Sequence, residues 1–318
     1  MYGVLCQTRK GGGAGKTLRI GGELLIFPHD KNSRGSMSVQ ATSTVRNLSS
    51  RYPVSADQVE FYRTRGHVCL PGLAGLEEID GMLPAIDRVL AETTARSDAQ
   101  GRIEDYSSLF QQVTNVWRQD ETVRAFVFAR RFARVAADLM GVEGVRLYHD
   151  QALYKPAGGK LTPWHQDQFY WPLDTRNTIT LWMPLIDLPR EMGTMLFACG
   201  SHLQGSLLDR SISDESNRVF ARMAEEKRWQ VESYDMKAGD ATFHAGWTVH
   251  SAHPNTSGRS RKVLTVIYYA DGAKVVEPEN DFRKTDMEVF LPGCPPGTPA
   301  VSPLNPLLYS RTQEVPRP

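Results

Sequence analysis

The chain is poor in cysteine and lysine, carries almost no net charge and contains no long apolar run. Its four cysteines, Cys6, Cys69, Cys199 and Cys294, are spread over 318 residues. They form neither a C-x-x-C pair nor a dense disulfide pattern, so reduced thiols are expected. Lys+Arg 37 against Asp+Glu 36 leaves a formal net charge of +1, which supplies no field to recruit nucleic acid or an anionic membrane. Only ten of the basic residues are lysines, and none lies between Lys31 and Lys155; that bias suggests a GC-rich coding sequence and says little about chemistry. No stretch reaches the roughly 18 to 20 apolar residues of a membrane span, and the N-terminus lacks an apolar signal core. What remains is a cytoplasmic protein with a small-molecule partner, whose oligomeric state is not legible.

Residues 1–40 are glycine-rich and basic, without sustained periodicity, and Met37 lies near their end. A disordered or non-native leader is expected there. Within it, Lys10 to Thr17 imitates a phosphate-binding loop, but Lys10 stands where that motif needs glycine, and neither a strand before nor an amphipathic helix after supports it. Residues 41–318 read as a single domain. Ser55-Ala56-Asp57-Gln58 has the form of a capping box opening a helix that ends near Gly66, followed by a short strand from His67 to Leu70. Further helices are expected over Leu76 to Thr93 and Glu121 to Met140, the latter from apolar residues at every third or fourth position and Gly141 as its stop.

Beyond Val145 the period changes. Short runs rich in β-branched and aromatic residues alternate with turn residues: Arg146 to Lys155, Thr178 to Leu185, Thr194 to Ala198, Gln230 to Asp235, Ala241 to His244, Trp247 to His250 and Lys262 to Tyr269. Helices first and strands later predict a mainly β fold, a sandwich or barrel buttressed by N-terminal helices, with its catalytic core at about 145–270. Ser213 to Arg228 reads as a charged helix placed to cover a site mouth, and the proline-rich stretch from Pro292 as an extended wrap or loose tail.

The chemistry is concentrated in Thr162-Pro163-Trp164-His165-Gln166-Asp167. On an extended strand residues i and i+2 share a side, so His165 and Asp167 can grip one ion together. With one more imidazole, this donor set suits iron(II) bound on one face and open on the other. Residue type alone leaves His244, His250 and His253 as candidates for the distal ligand. His29, His67 and His149 read as structural or surface residues, with His149 in a core or supporting position.

Taken together, the H-x-D pair, Gly193-Thr194-Met195 with Gly200-Ser201-His202, and His250-Ser251-Ala252-x-x-Asn255-x-Ser257 with Arg261 eleven residues after His250 resemble the phytanoyl-CoA dioxygenase family of iron(II)/2-oxoglutarate oxygenases over roughly residues 55 to 270. The resemblance implies a double-stranded β-helix, or cupin-like jelly-roll. It implies His165, Asp167 and His250 as ligands of Fe(II), with 2-oxoglutarate and O2 as cosubstrates. Arg261 would take the distal carboxylate of 2-oxoglutarate through its planar fork. Trp182, Thr180, Gln151 and Ala252 would line the same pocket, although Gln151 departs from the apolar residue associated with this position in the human family member. His244 would support the site or face substrate, and His202 would act as a hydrogen-bonding clamp. Retention of Asp167 separates the chain from halogenating relatives, which have a small residue there.

Directly after the metal pair come Phe169, Tyr170 and Trp171. They read as strand packing or as an apolar, stacking wall at the site entrance. The expected function is oxidation of a C–H bond of a small molecule, by hydroxylation or ring closure, in tailoring a secondary metabolite such as a glycosylated or polyketide antibiotic. The alternatives are a jelly-roll binding protein without catalysis, or a cupin-type isomerase or hydrolase that does not use 2-oxoglutarate.

Overall fold

The computed structural model describes residues 48–99, 110–208 and 211–315. The leader at 1–40, its phosphate-loop look-alike, His29 and Met37 lie outside the described residues. The N-terminal expectations hold locally. Ser55 caps helix α1 (Ala56–Arg65) through a reciprocal capping box with Gln58, and Gly66 closes it in the left-handed conformation. Strand β1 (His67–Leu70) follows, and α2 (Leu76–Ala99) extends past Thr93.

The single helix expected over 121–140 is two: α3 (Glu121–Val127) and α4 (Arg130–Met140), broken at Phe128 and Ala129, where Ala129 is extended at φ −56, ψ 117. No glycine or proline marks the break. Both helices feed one apolar core, so apolar residues keep recurring across the break, and the rings of Phe126 and Phe132 meet at 5.1 Å between centroids. The break turns Arg131 inward, where its guanidinium makes a buried bidentate pair with Glu78 of α2.

Two antiparallel sheets form the body, as the jelly-roll expectation required. The larger is ordered β1-β8-β5-β10-β3-β11, with β2 also on β3: β2 is Gln111–Thr114, β3 Gly144–Lys155, β5 Thr178–Pro184, β8 Ala241–Ala245, β10 Arg261–Ala270 and β11 Leu307–Ser310. The smaller is β4-β9-β6-β7, from Thr162–His165, His250–Ala252, Met195–Ala198 and Val231–Glu232. Period-two alternation sorts the large sheet's side chains. Leu264, Val266 and Tyr268 of β10, Ile179, Leu181 and Met183 of β5 and Phe243 of β8 join the main core with the helices. The opposite parity, Arg261 and Thr265, Thr180 and Trp182, and His244, faces the cavity shared with the small sheet.

Several boundaries differ from the sequence expectation. The run Gln230 to Asp235 shrinks to Val231–Glu232, and the Trp247 to His250 run is a turn that reaches a strand only at His250–Ala252. Asp167 is not on the strand with His165: β4 ends at His165, and Asp167 opens a one-turn 3-10 helix, Asp167–Phe169. The proline-rich stretch is a wrap rather than a loose tail. Cys294 and Ala300 are buried, and β11 pairs with the start of β3. Helix α5 (Asp214–Glu226) matches the expected charged segment, and α6 (Asp281–Phe290) had no sequence expectation.

Candidate metal centre

Local backbone chemistry aims both imidazoles before any metal is considered. His165 Nδ1 donates to Pro163 O at 2.7 Å and His250 Nδ1 to Thr248 O at 2.9 Å. Each Nε2 therefore carries a lone pair, and a carbonyl fixes each ring as ligating histidines are commonly fixed. Pairing of β4 with β9 sets His165 directly opposite His250, with ring centroids 4.0 Å apart. Asp167 Oδ1 lies 3.5 Å from each Nε2. His165 Nε2 is buried without a hydrogen-bond partner, and a shared cation would satisfy it.

The two oxygens of Asp167 have different tasks. Oδ2 accepts from Thr180 Oγ1 at 3.1 Å and from His244 Nε2 at 3.2 Å, which leaves Oδ1 toward the two histidines. Burial opposes ionisation of Asp167, but the surrounding His250, His165 and His244 imidazoles outweigh it and hold its carboxyl well below the usual carboxylate range. Burial keeps the His250 ring neutral. Two neutral imidazoles and one carboxylate, converging from one side, fit a non-haem iron(II) ion.

The other end of the cavity is cationic. Arg261 is 1% exposed, and no carboxylate pairs with it among the described residues. Its Nη1 donates to Gly193 O at 2.7 Å, its guanidinium carbon lies 5.3 Å from the centroid of Trp182 and 5.8 Å from that of Phe110, and its Nε has no partner. Burial lowers its pKa to about 9, so it remains charged at neutral pH. Gly193 is required there: at φ +93 a Cβ would approach His253 O to 2.7 Å. A buried cation short of a counter-charge, facing a cavity with a metal-ligand set, suits the far carboxylate of a chelated dicarboxylate.

The sequence-derived positions distribute as follows. Gln151, Trp182, Ala252, Tyr170, Trp171 and His244 all line the cavity. Thr180 lines it too, but its hydroxyl is committed to Asp167 rather than offered to a cosubstrate. The free hydroxyl on the same strand face as Arg261 is Thr265, whose Oγ1 is buried and unpartnered. Its shared strand parity with Arg261 is the signal that locates it. Gln151 Oε1 accepts from Gln112 Nε2 at 2.9 Å, a contact no motif foretold. Phe169 does not face the cavity; it packs on Tyr170 and Phe282, as its strand-packing alternative implied for its side chain. His202 acts as a clamp, with Nε2 donating to Arg63 O at 3.0 Å, and His149 is a core residue packed on Phe290. His253 is a turn residue whose carbonyl accepts from Lys155 Nζ.

A jelly-roll whose cavity is lined by two histidines, an aspartate and a buried arginine has the make-up of a non-haem metal oxygenase. The model of the phytanoyl-CoA dioxygenase family matches residues 62–263, and the chain belongs to that family, whose members are iron(II)/2-oxoglutarate-dependent dioxygenases. A probable alpha-ketoglutarate-dependent hypophosphite dioxygenase of Stutzerimonas stutzeri is 22% identical over 232 residues, covering 69% of this chain and 79% of that one. Among solved structures, the carbocyclase SnoK of nogalamycin biosynthesis superposes with a TM-score of 0.65 at 25% identity, covering 80% of this chain and 96% of that one. The epimerase SnoN, in complex with Fe3+, alpha-ketoglutarate and nogalamycin RO, superposes with a TM-score of 0.61 at 27% identity, covering 80% and 98%. Among the described residues no helix is long and apolar enough to cross a membrane.

Proposed function

We propose that His165 Nε2, Asp167 Oδ1 and His250 Nε2 hold iron(II), that Arg261 holds the distal carboxylate of 2-oxoglutarate, and that the chain oxidises a C–H bond of a ring-bearing secondary metabolite. The observation that carries this reading is a single cavity lined by two histidines and an aspartate, with His165 Nε2 buried and unpartnered, and by a buried guanidinium with no carboxylate partner among the described residues. When bound, iron with 2-oxoglutarate and O2 supplies oxidative decarboxylation coupled to removal of a substrate hydrogen.

The chain's own residues do the positioning. Thr180 and His244 occupy Asp167 Oδ2, so that Oδ1 alone is presented to the ion. Gln112 orients Gln151, and Thr265 offers an unpartnered hydroxyl, giving neutral donors in the cavity that Arg261 also lines. The methyl of Ala252 and the ring of Trp182 line the same cavity with apolar surface along which an extended dicarboxylate would lie. Tyr170 and Trp171 give the substrate end an aromatic wall, suited to a sugar ring or a fused polyketide ring, and among the described residues that line the cavity Arg261 is the one cation, which does not favour an acyl-CoA. The likeness to SnoK and SnoN supports an antibiotic-type substrate and leaves hydroxylation, ring closure and epimerisation as possible outcomes on one scaffold. The same reading treats residues 41–318 as one catalytic domain, with the leader at 1–40 outside it.

The test pairs metal titration with turnover. Single alanine variants of His165, Asp167 and His250 should each lose iron(II) affinity by calorimetry. The wild-type protein should release succinate from 2-oxoglutarate faster when a substrate-like glycoside or polyketide is added. Iron affinity unchanged in any variant would remove that residue from the set. A protein that binds metal but neither binds nor decarboxylates 2-oxoglutarate would be a cupin-type isomerase or hydrolase instead, and one that binds neither a jelly-roll binding protein.

A further inference from the structure

A second group of ligand-type side chains lies outside the cavity. His67 of β1 is fully buried; its Nε2 is 3.3 Å from Cys199 Sγ and 3.8 Å from Glu232 Oε2. None of the three lines the iron cavity. They come from both sheets: β1 belongs to the large one, Glu232 to β7 of the small one, and Cys199 directly follows β6. The cluster therefore sits where the two sheets meet. Among the described residues, the only other such group is the iron set itself.

The hydrogen bonds around His67 fix its tautomer. Tyr234 Oη donates its one proton to Glu232 Oε2 at 2.9 Å, so the 3.3 Å contact between Tyr234 Oη and His67 Nδ1 has Nδ1–H as its donor. Nε2 is left with its lone pair, directed at the thiol and the carboxylate. An imidazole anchored through Nδ1–H, with Nε2 facing other ligands, is the usual support of a metal-binding histidine. Burial reinforces it by keeping His67 neutral.

The spacing also suits an ion. With a nitrogen about 2.05 Å and a sulfur about 2.3 Å from a tetrahedral ion, the N···S edge is about 3.6 Å and the N···O edge about 3.3 Å. The observed 3.3 and 3.8 Å need shifts of no more than half an ångström. Glu232 is 20% exposed, so the cluster is open to solvent on its side; Arg65 Nη1 stands 3.9 Å from Glu232 Oε1, and while burial pushes the Cys199 thiol up to about 11, the Arg65 cation beside it acts in the opposite sense and favours the thiolate. Nitrogen, sulfur and oxygen in one tetrahedral set favour a zinc-class ion over calcium or magnesium.

We propose that His67, Cys199 and Glu232 form a second metal site, for a zinc-class divalent ion with water as its fourth ligand. Binding replaces the Cys199 S–H bond by a metal–thiolate bond and releases the proton to solvent, so affinity rises with pH. The ion clasps the rim of the two sheets. Its effect reaches the iron site through packing, because the His67 ring stacks on Phe197 at 4.5 Å, and Phe197 contacts His244 and His250 at 5.5 and 6.5 Å between centroids.

Cobalt(II) is the probe, titrated into the full-length chain. Wild type should bind two equivalents and develop a near-ultraviolet thiolate-to-cobalt charge-transfer band, which the sulfur-free iron set cannot give. A His165→Ala/His250→Ala double variant should keep the band, and Cys199→Ser should lose it while retaining one equivalent. Zinc should bleach the band and raise the melting temperature of wild type but not of Cys199→Ser. One equivalent in wild type with no sulfur band, or a band that persists in Cys199→Ser, overturns the site. If Cys199→Ser fails to fold, Glu232→Gln serves: cobalt affinity at the band should fall at least about tenfold, and unchanged affinity overturns the proposal.

Discussion

At the residue scale, the centre depends on side chains whose polar atoms are divided between scaffold and chemistry. Asp167 spends Oδ2 on Thr180 and His244, and His165 and His250 each spend Nδ1 on a backbone carbonyl. Arg261 is the exception, buried with a single carbonyl partner and an unsatisfied Nε. That asymmetry leads to a prediction. Removing one partner of a buried charge pair costs on the order of 2 to 5 kcal/mol in binding, so Arg261→Leu should weaken 2-oxoglutarate by about thirtyfold or more and leave iron affinity intact. Lysine should restore it only in part, since a point charge cannot replace a bidentate fork. The check is anaerobic titration of 2-oxoglutarate into the iron-loaded protein, followed by its metal-to-ligand charge-transfer band; a wild-type midpoint in Arg261→Leu would refute the assignment.

At the scale of elements, two helices bear on the cavity in different ways. The sequence suggests a mobile cover near α5, yet this helix is fastened to the strand that carries His165. Asn217 Oδ1 accepts from Trp164 N at 3.1 Å, Ser216 Oγ donates to Trp164 O at 3.2 Å, and Phe220 is buried. Amide exchange in α5 should therefore be slow and unchanged by iron and 2-oxoglutarate; fast exchange that slows on loading would restore the lid. Helix α6 is tied to β3 through Asp286, whose Oδ2 accepts from Tyr148 Oη at 2.6 Å. Burial raises the Asp286 pKa from 3.8 to about 7. The folded state thus holds a proton that the unfolded state releases near 3.8, and this stabilising contribution is complete below that value and lost as pH rises through about 7. Relative to Asp286→Asn, wild type should melt at progressively lower temperature as pH rises across that window. A difference between the two proteins that stays constant with pH would contradict the assignment.

At the scale of the whole molecule, the large sheet is buried on both faces, against helices on one side and the catalytic cavity on the other. The Glu78–Arg131 pair, with side chains 4% and 8% exposed, joins α2 to α4 within the helical layer. Breaking such a pair from one side leaves an uncompensated buried charge. Arg131→Ala should cost about 3 to 5 kcal/mol, and Glu78→Leu/Arg131→Met should cost less than that single change. Denaturant midpoints of the three proteins decide this; a double variant less stable than Arg131→Ala would show that the pair itself, rather than the orphaned charge, supplies the stability.

The sequence by itself determined the type of protein. Period-two alternation in β5, β8 and β10 separates core from cavity residues, the capping box of Ser55 and Gln58 sets the start of α1, and the spacing of His165, Asp167, His250 and Arg261 names the chemistry. These signals are local, or repeat a pattern that a strand imposes on its side chains. Only the tertiary structure decided the rest. The break between α3 and α4 is invisible because both helices feed one apolar core. Asp167 reaches the site from a 3-10 turn rather than a strand, and Thr180 turns to that carboxylate while Thr265 keeps its hydroxyl free. His67, Cys199 and Glu232 are far apart in the chain and carry no spacing motif. They meet because antiparallel pairing and the closure of one sheet over another bring distant residues together, which no local period encodes.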